Sequence, residues 1–422
     1  NLVKIMDSLL LNLPLIVKIK ILSFLEPLDR ITLGSISSQW YFALQSHTLW
    51  EKLTIKLFPL SKSFSKVNAY YMLTLNYCKH LKSLNLVFVN SVEMTVTDVF
   101  GVNYMNNLIS NSVQLRELTL TNWKFSYKTT NQNVIINTLN KFLKSQSKLE
   151  KLCLLNLKMK KTDILQIITS VSENSGNIQH FDLRNAFRGR DDPFSVPVDF
   201  LAVNDFSNLK ILKVDYRSLS NEVLMKLASI HLESIEICIT PADSNSYLND
   251  LISNWAWELL KRSNPELELF INVSNIPMYE EICCFLLPSL PLNKFKIFLE
   301  KSCSKNFYKI CNLLLLYYNK SLTDIRFHLN GYIEKIDEIL IEVICHCQNL
   351  RHFHYTGLLF DFEMVKAICD YRLNYIKSFD TISFRPRYLS KNNNLFIQNM
   401  MFQYRNKLSA KGVNLRVNLP PN

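Results

Sequence analysis

One pattern constrains this chain more than any other. An apolar residue, two variable ones, an apolar, one variable and an apolar recur from residue 81 almost to the C-terminus. The copies read LKSLNL at Leu81, LRELTL at Leu115, LEKLCL at Leu149, IQHFDL at Ile178, LKILKV at Leu209 and LESIEI at Leu232. They continue as LNKFKI at Leu292, LTDIRF at Leu322, LRHFHY at Leu350 and IKSFDT at Ile376. PELELFINV is a distorted copy, alternating at Leu267, Leu269, Ile271 and Val273, and NLRVNL near residue 415 reads as a last strand. Successive starts lie roughly 23 to 37 residues apart, which suits one short strand and one helix per unit. Helical stretches are expected between them at Val134–Leu143, Thr162–Val171, Asn221–Ala228, Lys305–Tyr318 and Ile336–Cys345. A unit this small cannot bury its own apolar face, so stacked neighbours supply a continuous core. The expected class is α/β, a solenoid with parallel strands on its concave face and helices outside. The recurring Leu and Phe are then core and not the lining of a ligand pocket.

Composition removes several alternatives. Of the 422 residues 48% are apolar and 20% charged, as in a folded chain rather than a disordered one. Ten cysteines are scattered, several inside apolar helical patterns (Cys283, Cys284, Cys311, Cys345, Cys347, Cys369), so a reduced cytosolic or nuclear chain is expected. With only seven glycines and no GxGxxG, GxxxxGK[ST], GxSxG or HExxH, nucleotide-dependent and metalloprotease classes fall away, and no cofactor is expected. Cys345-His346-Cys347, with His352 and His354 downstream, has the wrong spacing for zinc and no second pair, so no metal is expected either. Cys283 and Cys284 read as packing residues. The apolar run Leu9–Ile19 is too short to span a membrane and is broken by Asn12, Pro14 and Lys18. It also lacks the small residues of a signal cleavage site. The first residue is Asn1 rather than Met, which leaves room for residues upstream. The net charge of +12 favours an acidic partner, whether protein, phosphoprotein, nucleic acid or membrane surface.

Residues 13–53, LPLIVKIKILSFLEPLDRITLGSISSQWYFALQSHTLWEKL, form a different unit. Leu13-Pro14 opens a helix, and Val17, Ile21, Leu22 and Leu25 fall at helical spacing. Pro27 is expected to end that helix and Asp29 to cap the next, which carries Ile31, Leu33, Ile36 and Trp40. So few residues build little core, and Leu, Pro and two Trp side chains are expected to stay exposed for a partner. The order and spacing of Leu13-Pro14, Ile21, Phe24-Leu25, Pro27, Asp29, Ile36-Ser37, Trp40 and Leu49-Trp50 resemble the F-box, the motif that docks on the Skp adaptor. Ile16 departs from it, where the family often has Glu. The resemblance implies that Leu13, Pro14, Ile21, Leu22, Leu25, Pro27, Trp40, Leu49 and Trp50 contact the adaptor or build the surface that does. It further implies a cullin scaffold behind the adaptor and no catalytic nucleophile in this subunit. The alternative is that these helices merely cap the solenoid.

The repeats resemble leucine-rich repeats, and Cys347-Gln348-Asn349-Leu350 matches the Cys-x-Asn-Leu that often precedes a strand in that family. Together the two parts resemble the F-box/leucine-rich-repeat substrate receptors of SCF-type ubiquitin ligases. The Trp255–Leu269 segment and Leu287–Leu292 are more similar to the F-box only proteins numbered 39 and 33. The expected division is an F-box at 8–58, a helical linker or cap at 59–80, and a repeat domain at 81–422. That domain holds about 11 to 12 irregular repeats, with a basic cap from about residue 377.

In such a solenoid the variable strand positions face the concave side. They are Glu117 and Thr119; Lys151 and Cys153; His180, Asp182 and Arg184; Lys213 and Asp215; Lys294, Lys296 and Phe298; Asp324, Arg326 and His328; His352 and His354. Arg184, Lys213, Lys294, Lys296, Arg326, His328 and His354 are the candidate substrate-binding residues. With strands about 4.8 Å apart, Lys296, Arg326 and His354 are expected to form a ladder suited to acidic or phosphorylated segments. At the C-terminus Arg385, Arg387, Lys391, Arg405, Lys407, Lys411 and Arg416 face almost no acid beyond Asp380. Arg385–Tyr388 is expected to be a loop and Leu395–Tyr404 a helix. Basic residues interleaved with Phe384, Tyr388, Phe396 and Phe402 are compatible with nucleic acid, but a capping repeat with buried aromatics is the expected role. The second functional reading is a non-enzymatic scaffold binding an acidic protein or RNA. A protein substrate is preferred over nucleic acid, and no membrane partner is expected.

Overall fold

The computed structural model describes residues 13–57, 72–73, 76–89, 95–123, 132–157, 159–173, 176–186, 206–241, 252–276, 279–300, 307–330, 335–359, 363–375, 380–386 and 391–417. The chain forms two compact units, one of residues 1–192 with 202–209, the other of 193–201 with 210–422.

The first unit opens with three short helices: α1 (Leu15–Ser23), α2 (Pro27–Gly34) and α3 (Ser38–Leu44). Pro14 sits just ahead of α1, and its carbonyl accepts the first helical hydrogen bonds from the Val17 and Lys18 amides at 3.0 and 3.1 Å. Pro27 does not simply end α1. It is the first residue of α2, where its fixed φ and missing N–H suit a helix start. Glu26 therefore holds the N-cap position expected for Asp29, which lies one turn inside. The single second helix expected from Ile31 to Trp40 is in fact two, because Ser37 begins a new one with its Oγ accepting from the Trp40 amide at 3.4 Å.

Five parallel strands follow in chain order: β1 (Lys52–Leu57), β2 (Ser83–Phe88), β3 (Glu117–Thr121), β4 (Lys151–Leu155) and β5 (His180–Asp182). Helices α4 (Thr95–Ser110), α5 (Gln132–Lys144) and α6 (Lys161–Ser172) lie between them in sequence. The register places Leu53, Leu84, Leu118, Leu152 and Phe181 in one inward row. All five are buried, as period-two alternation with one covered face requires. The first strand went unread because it overlaps the helical motif, although Trp50-x-x-Leu53-x-Ile55 has the repeat spacing.

The second unit carries eight parallel strands, each paired with the next: β6 (Ile211–Asp215), β7 (Ser234–Ile239), β8 (Glu268–Ser274), β9 (Leu292–Leu299), β10 (Asp324–Leu329), β11 (His352–Gly357), β12 (Thr381–Pro386) and β13 (Asn414–Val417). Its helices are α7 (Asn221–Leu227), α8 (Asn254–Ser263), α9 (Tyr279–Phe285), α10 (Phe307–Tyr318), α11 (Asp337–His346), α12 (Glu363–Tyr375) and α13 (Lys391–Ser409). Phe295, Phe327, Phe353 and Phe384 stack through the core with centroids 5.9–6.4 Å apart. The first two pairs are edge-to-face, and such pairs contribute about 1 kcal/mol each beyond their burial. Between β8 and β9 the register slips, with Leu269 opposite Leu292 and Phe270 opposite Lys294. The extra residue, Asn293, closes the gap by accepting from the Leu269 amide at 2.9 Å.

Two polar devices repeat along the chain. Asn122, Asn156, Asn185 and Asn275 all adopt a positive φ of 53–59° just past a strand, a conformation Asn tolerates better than other L-residues. Asn156 Nδ2 donates to Asn122 Oδ1 at 3.1 Å, tying one turn to the next. Asn177, Asn208 and Asn349, each just before the first apolar residue of a repeat, donate to the Ser147, Gly176 and Lys320 carbonyls at 3.1, 2.7 and 2.6 Å. That contact is the reason for Asn in the Cys347–Leu350 signature, whose Cys is fully buried.

Two expectations change near the C-terminus. The copy assigned to Ile376 is displaced by three residues, since β12 buries Ile382 and Phe384. Arg385 and Pro386 belong to that strand and not to a loop, while Arg387 and Tyr388 lie outside the described residues. Among the described residues no helix is long and apolar enough to cross a membrane.

Candidate functional site

The first surface lies on α1–α3. Trp40 and Trp50, expected to be exposed, are buried, as are Leu22, Pro27 and Leu49. Trp50 stacks on Tyr77 with centroids 4.1 Å apart and planes 8° from parallel, and its Nε1 donates to the Leu44 carbonyl at 2.8 Å. The Arg30 guanidinium lies over the same indole at 5.7 Å and donates to the Leu25 carbonyl at 3.0 Å and to the Leu49 carbonyl. Burial lowers the Arg30 pKa, opposed by the Glu26 charge. Lys18 is buried too, its Nζ donating to Gln39 Oε1 at 2.5 Å and lying 5.9 Å from the Trp40 ring centroid. These groups build the module.

What remains in water is a different apolar set. Ile16 and Phe24 are 76% and 77% exposed, and Phe42 is 66% exposed. Leu15, Val17, Ile36 and Tyr41 are exposed as well. Leu15 of α1 and Phe42 of α3 line one groove with Lys18, Ser38 and Gln39. Of the residues singled out from sequence, Pro14 is exposed, and Leu13, Ile21 and Leu25 are half-buried. Isolated exposed apolar residues are ordinary, whereas seven gathered on α1, α3 and the turns at Phe24 and Ile36 mark an interaction surface. The sequence offered a signal for Ile16, since an apolar residue there departs from the family's Glu and its exposure follows from the turn it occupies.

The second surface is the open face of the sheet in the second unit. Arg326 faces Lys296 on β9 and His354 on β11, and His354 faces Ser383, which faces Arg416 on β13. Two residues along, Phe298, His328, Thr356 and Arg385 form a parallel row. Arg326 is held by the buried Asp324, with Nε at 2.9 Å and a terminal nitrogen at 2.6 Å from its two oxygens. Hydrogen bonding to Asp324 raises the Arg326 pKa against the desolvation that lowers it. Burial, then Lys296, His354, Arg326 and Arg385, lower the pKa of His328. Burial and Arg326, then His352 and Arg416, lower that of His354, with Asp324 opposing.

The other candidates are more fully neutralised. Lys294 pairs with Glu268 at 2.5 Å and Lys213 with Glu236 at 3.0 Å. Arg184, in the first unit, donates from Nε and a terminal nitrogen to the two oxygens of buried Asp182 at 2.9 and 2.8 Å. Beside it, donor atoms of Cys153, His180 and Asp182 lie within 4.8 Å of one another, a set that zinc accepts. Arg184 already occupies that carboxylate, and burial pushes the Cys153 thiol up to about 11. The C-terminal aromatics also differ from a fully buried cap: Phe384 is buried and Phe402 is exposed.

Comparison with known proteins agrees with this division. Residues 10–52 match the F-box domain. F-box/LRR-repeat protein 21 of Bos taurus is 23% identical over 352 residues, covering 80% of this chain and 75% of that one. Among solved structures, Rad7 in its yeast complex with Elc1 superposes with a TM-score of 0.43 at 13% identity, covering 81% of this chain and 78% of that one. The match places an F-box on α1–α3, and the likeness to F-box/LRR-repeat protein 21 supports an F-box/leucine-rich-repeat protein. These matches do not bear on the finer resemblance to the F-box only proteins 39 and 33.

Proposed function

We propose that this chain is the substrate-recognition subunit of an SCF-type ubiquitin ligase, docking on the Skp adaptor through α1–α3 and, through it, on a cullin. The observation that carries this reading is the F-box match over helices whose tryptophans are packed inside and whose Ile16, Phe24 and Phe42 remain in water. A module of this size that leaves so much apolar surface exposed completes its burial against a partner. Pro14, Leu13, Ile21 and Leu25 adjoin that surface, while Leu22, Pro27, Trp40, Leu49 and Trp50 hold it in shape.

The subunit needs no nucleophile in this account. It raises effective concentration by holding a substrate lysine near the ubiquitin-charged enzyme that the cullin brings. Substrate is taken on the open sheet face, and the setting is the cytosol or nucleus, where scattered thiols stay reduced. The test is co-expression with the adaptor and a cullin followed by size-exclusion chromatography. A stoichiometric complex supports the reading, and a folded chain that elutes alone contradicts it.

A further inference from the structure

We propose that Cys153, His180 and Asp182 form a zinc site that clips β5 to β4 in the first unit. The site depends neither on the ligase reading nor on the basic sheet face of the second unit.

The strand register builds the trio. Cys153 of β4 faces Asp182 of β5, and His180 lies two residues before Asp182, on the same side of the sheet. Their donor atoms, from one thiol, one imidazole and one carboxylate, lie within 4.8 Å of one another. Among the described residues no other three such groups meet so closely. Tetrahedral zinc holds N, O and S donors at about 2.0 to 2.3 Å, which sets the donors about 3.3 to 3.8 Å from each other. Closing the remaining gap of about 1 Å takes side-chain rotation and leaves the strands in place.

The donors match the ion chemically. Thiolate and carboxylate together cancel the charge of a divalent cation, so the filled site buries no net charge of its own. The thiol gives its proton to solvent as the metal binds, as coordinating thiols do. Cys153 and Asp182 are buried and His180 is half-buried, so the ion enters past the imidazole and keeps its fourth position for water. Calcium and magnesium take oxygen shells and would leave the sulfur and the imidazole unused. Arg184 is the competitor, since it donates to both Asp182 oxygens. Each oxygen keeps a second lone pair, so metal and guanidinium can share the carboxylate, with the Arg184 charge opposing the ion. The clip falls where the ladder needs it, because β5 has only 3 residues. The trio left no mark in sequence, since its members come from two different repeats with no metal-binding spacing between them.

The test titrates the full chain, reduced and stripped of metal, with cobalt(II) and follows visible absorption. Cobalt(II) fills tetrahedral zinc sites and reports a thiolate ligand through a charge-transfer band. Equimolar cobalt should give that band, and zinc should abolish it. Cys153→Ser and His180→Gln should each weaken binding at least about a hundredfold, since losing even an outer partner costs about 10- to 100-fold. Arg184→Gln should bind about tenfold more tightly. Its urea midpoint, lowered by the stranded Asp182 carboxylate, should recover when zinc is added. No charge-transfer band in the folded native chain would overturn the proposal. So would a band that persists in both Cys153→Ser and His180→Gln, or unchanged affinity in Arg184→Gln, which would remove Asp182 from the donor set. Adaptor binding is measured on the same preparations, and its loss bears on the ligase reading alone.

Discussion

Replacing Trp50 with Ala should open the helical module without removing a single partner contact. Its indole is 1% exposed, so truncation deprives the interior of on the order of 200 Å² of apolar contact. At about 25 cal/mol/Å² that is about 5 kcal/mol, of which the alanine methyl retains a part. The stack on Tyr77 and the hydrogen bond to the Leu44 carbonyl go with it, and large-to-small core changes at tryptophan cost about 3 to 5 kcal/mol. Arg30, which lies over the ring, also loses its cover. Hydrogen exchange is the direct assay, because it reads local opening in a long repeat chain that does not unfold in one step. Amide protection across α1–α3 should fall by about a thousandfold, at about 1.4 kcal/mol per tenfold, while β10–β12 keep theirs. Trp50→Phe should fall between. Wild-type protection in Trp50→Ala would mean the indole is not a core element, and the division between supporting and contacting residues would fail.

Two further outcomes follow from packing and charge. Gly101 lies in α4 with the Trp123 ring so close that an added Cβ would stand 2.8 Å from it. Gly101→Ala should therefore destabilise the first unit by about 1 to 3 kcal/mol through overpacking, although Ala favours a helix by about 1 kcal/mol; a rise in urea midpoint would refute this. His328 and His354 have folded pKa values below the ordinary 6.5, so the native state binds fewer protons than the unfolded chain. Their contribution to stability is present above about pH 6.5 and is lost as pH falls below it. Burial, then Lys296, His354, Arg326 and Arg385, disfavours the protonated His328 ring; burial and Arg326, then His352 and Arg416, disfavour that of His354, with Asp324 opposing. The urea midpoint of the second unit should drop between pH 7.5 and 5.5, and a His328→Gln/His354→Gln variant should drop less. An identical pH profile in that variant would sink the assignment.

The repeat was legible because period-two burial leaves a mark in sequence: Leu118, Leu152, Phe295, Ile325 and Phe353 are both the pattern and the inward row. Where two spacings competed, the reading slipped. Ile376-x-x-Phe379-x-Thr381 satisfies the pattern, but Ile382 and Phe384 are what the core takes. Trp50 of the helical module was misread because its burial depends on Tyr77 and on the Leu44 carbonyl, contacts that no local spacing reveals. The ladder of Lys296, Arg326 and His354 could be drawn from strand spacing alone. That Asp182 and Asp324 are buried and hold Arg184 and Arg326 could not, and this pairing decides which cations remain available. The asparagines at positive φ were also unread, although Asn in a turn after a strand is the residue such a backbone selects.

The central claim concerns the exposed apolar surface of α1–α3, and affinity for the Skp adaptor tests it most directly. Phe24 and Phe42 together leave on the order of 250 Å² of apolar surface in water. Burying half of it gives about 3 kcal/mol, or about a hundredfold in Kd. The account predicts that native chain binds the adaptor and that Phe24→Ser/Phe42→Ser binds about a hundredfold more weakly while its hydrogen-exchange protection stays at the native level. Equal affinity in the double variant, or no adaptor binding by the folded native chain, would contradict it.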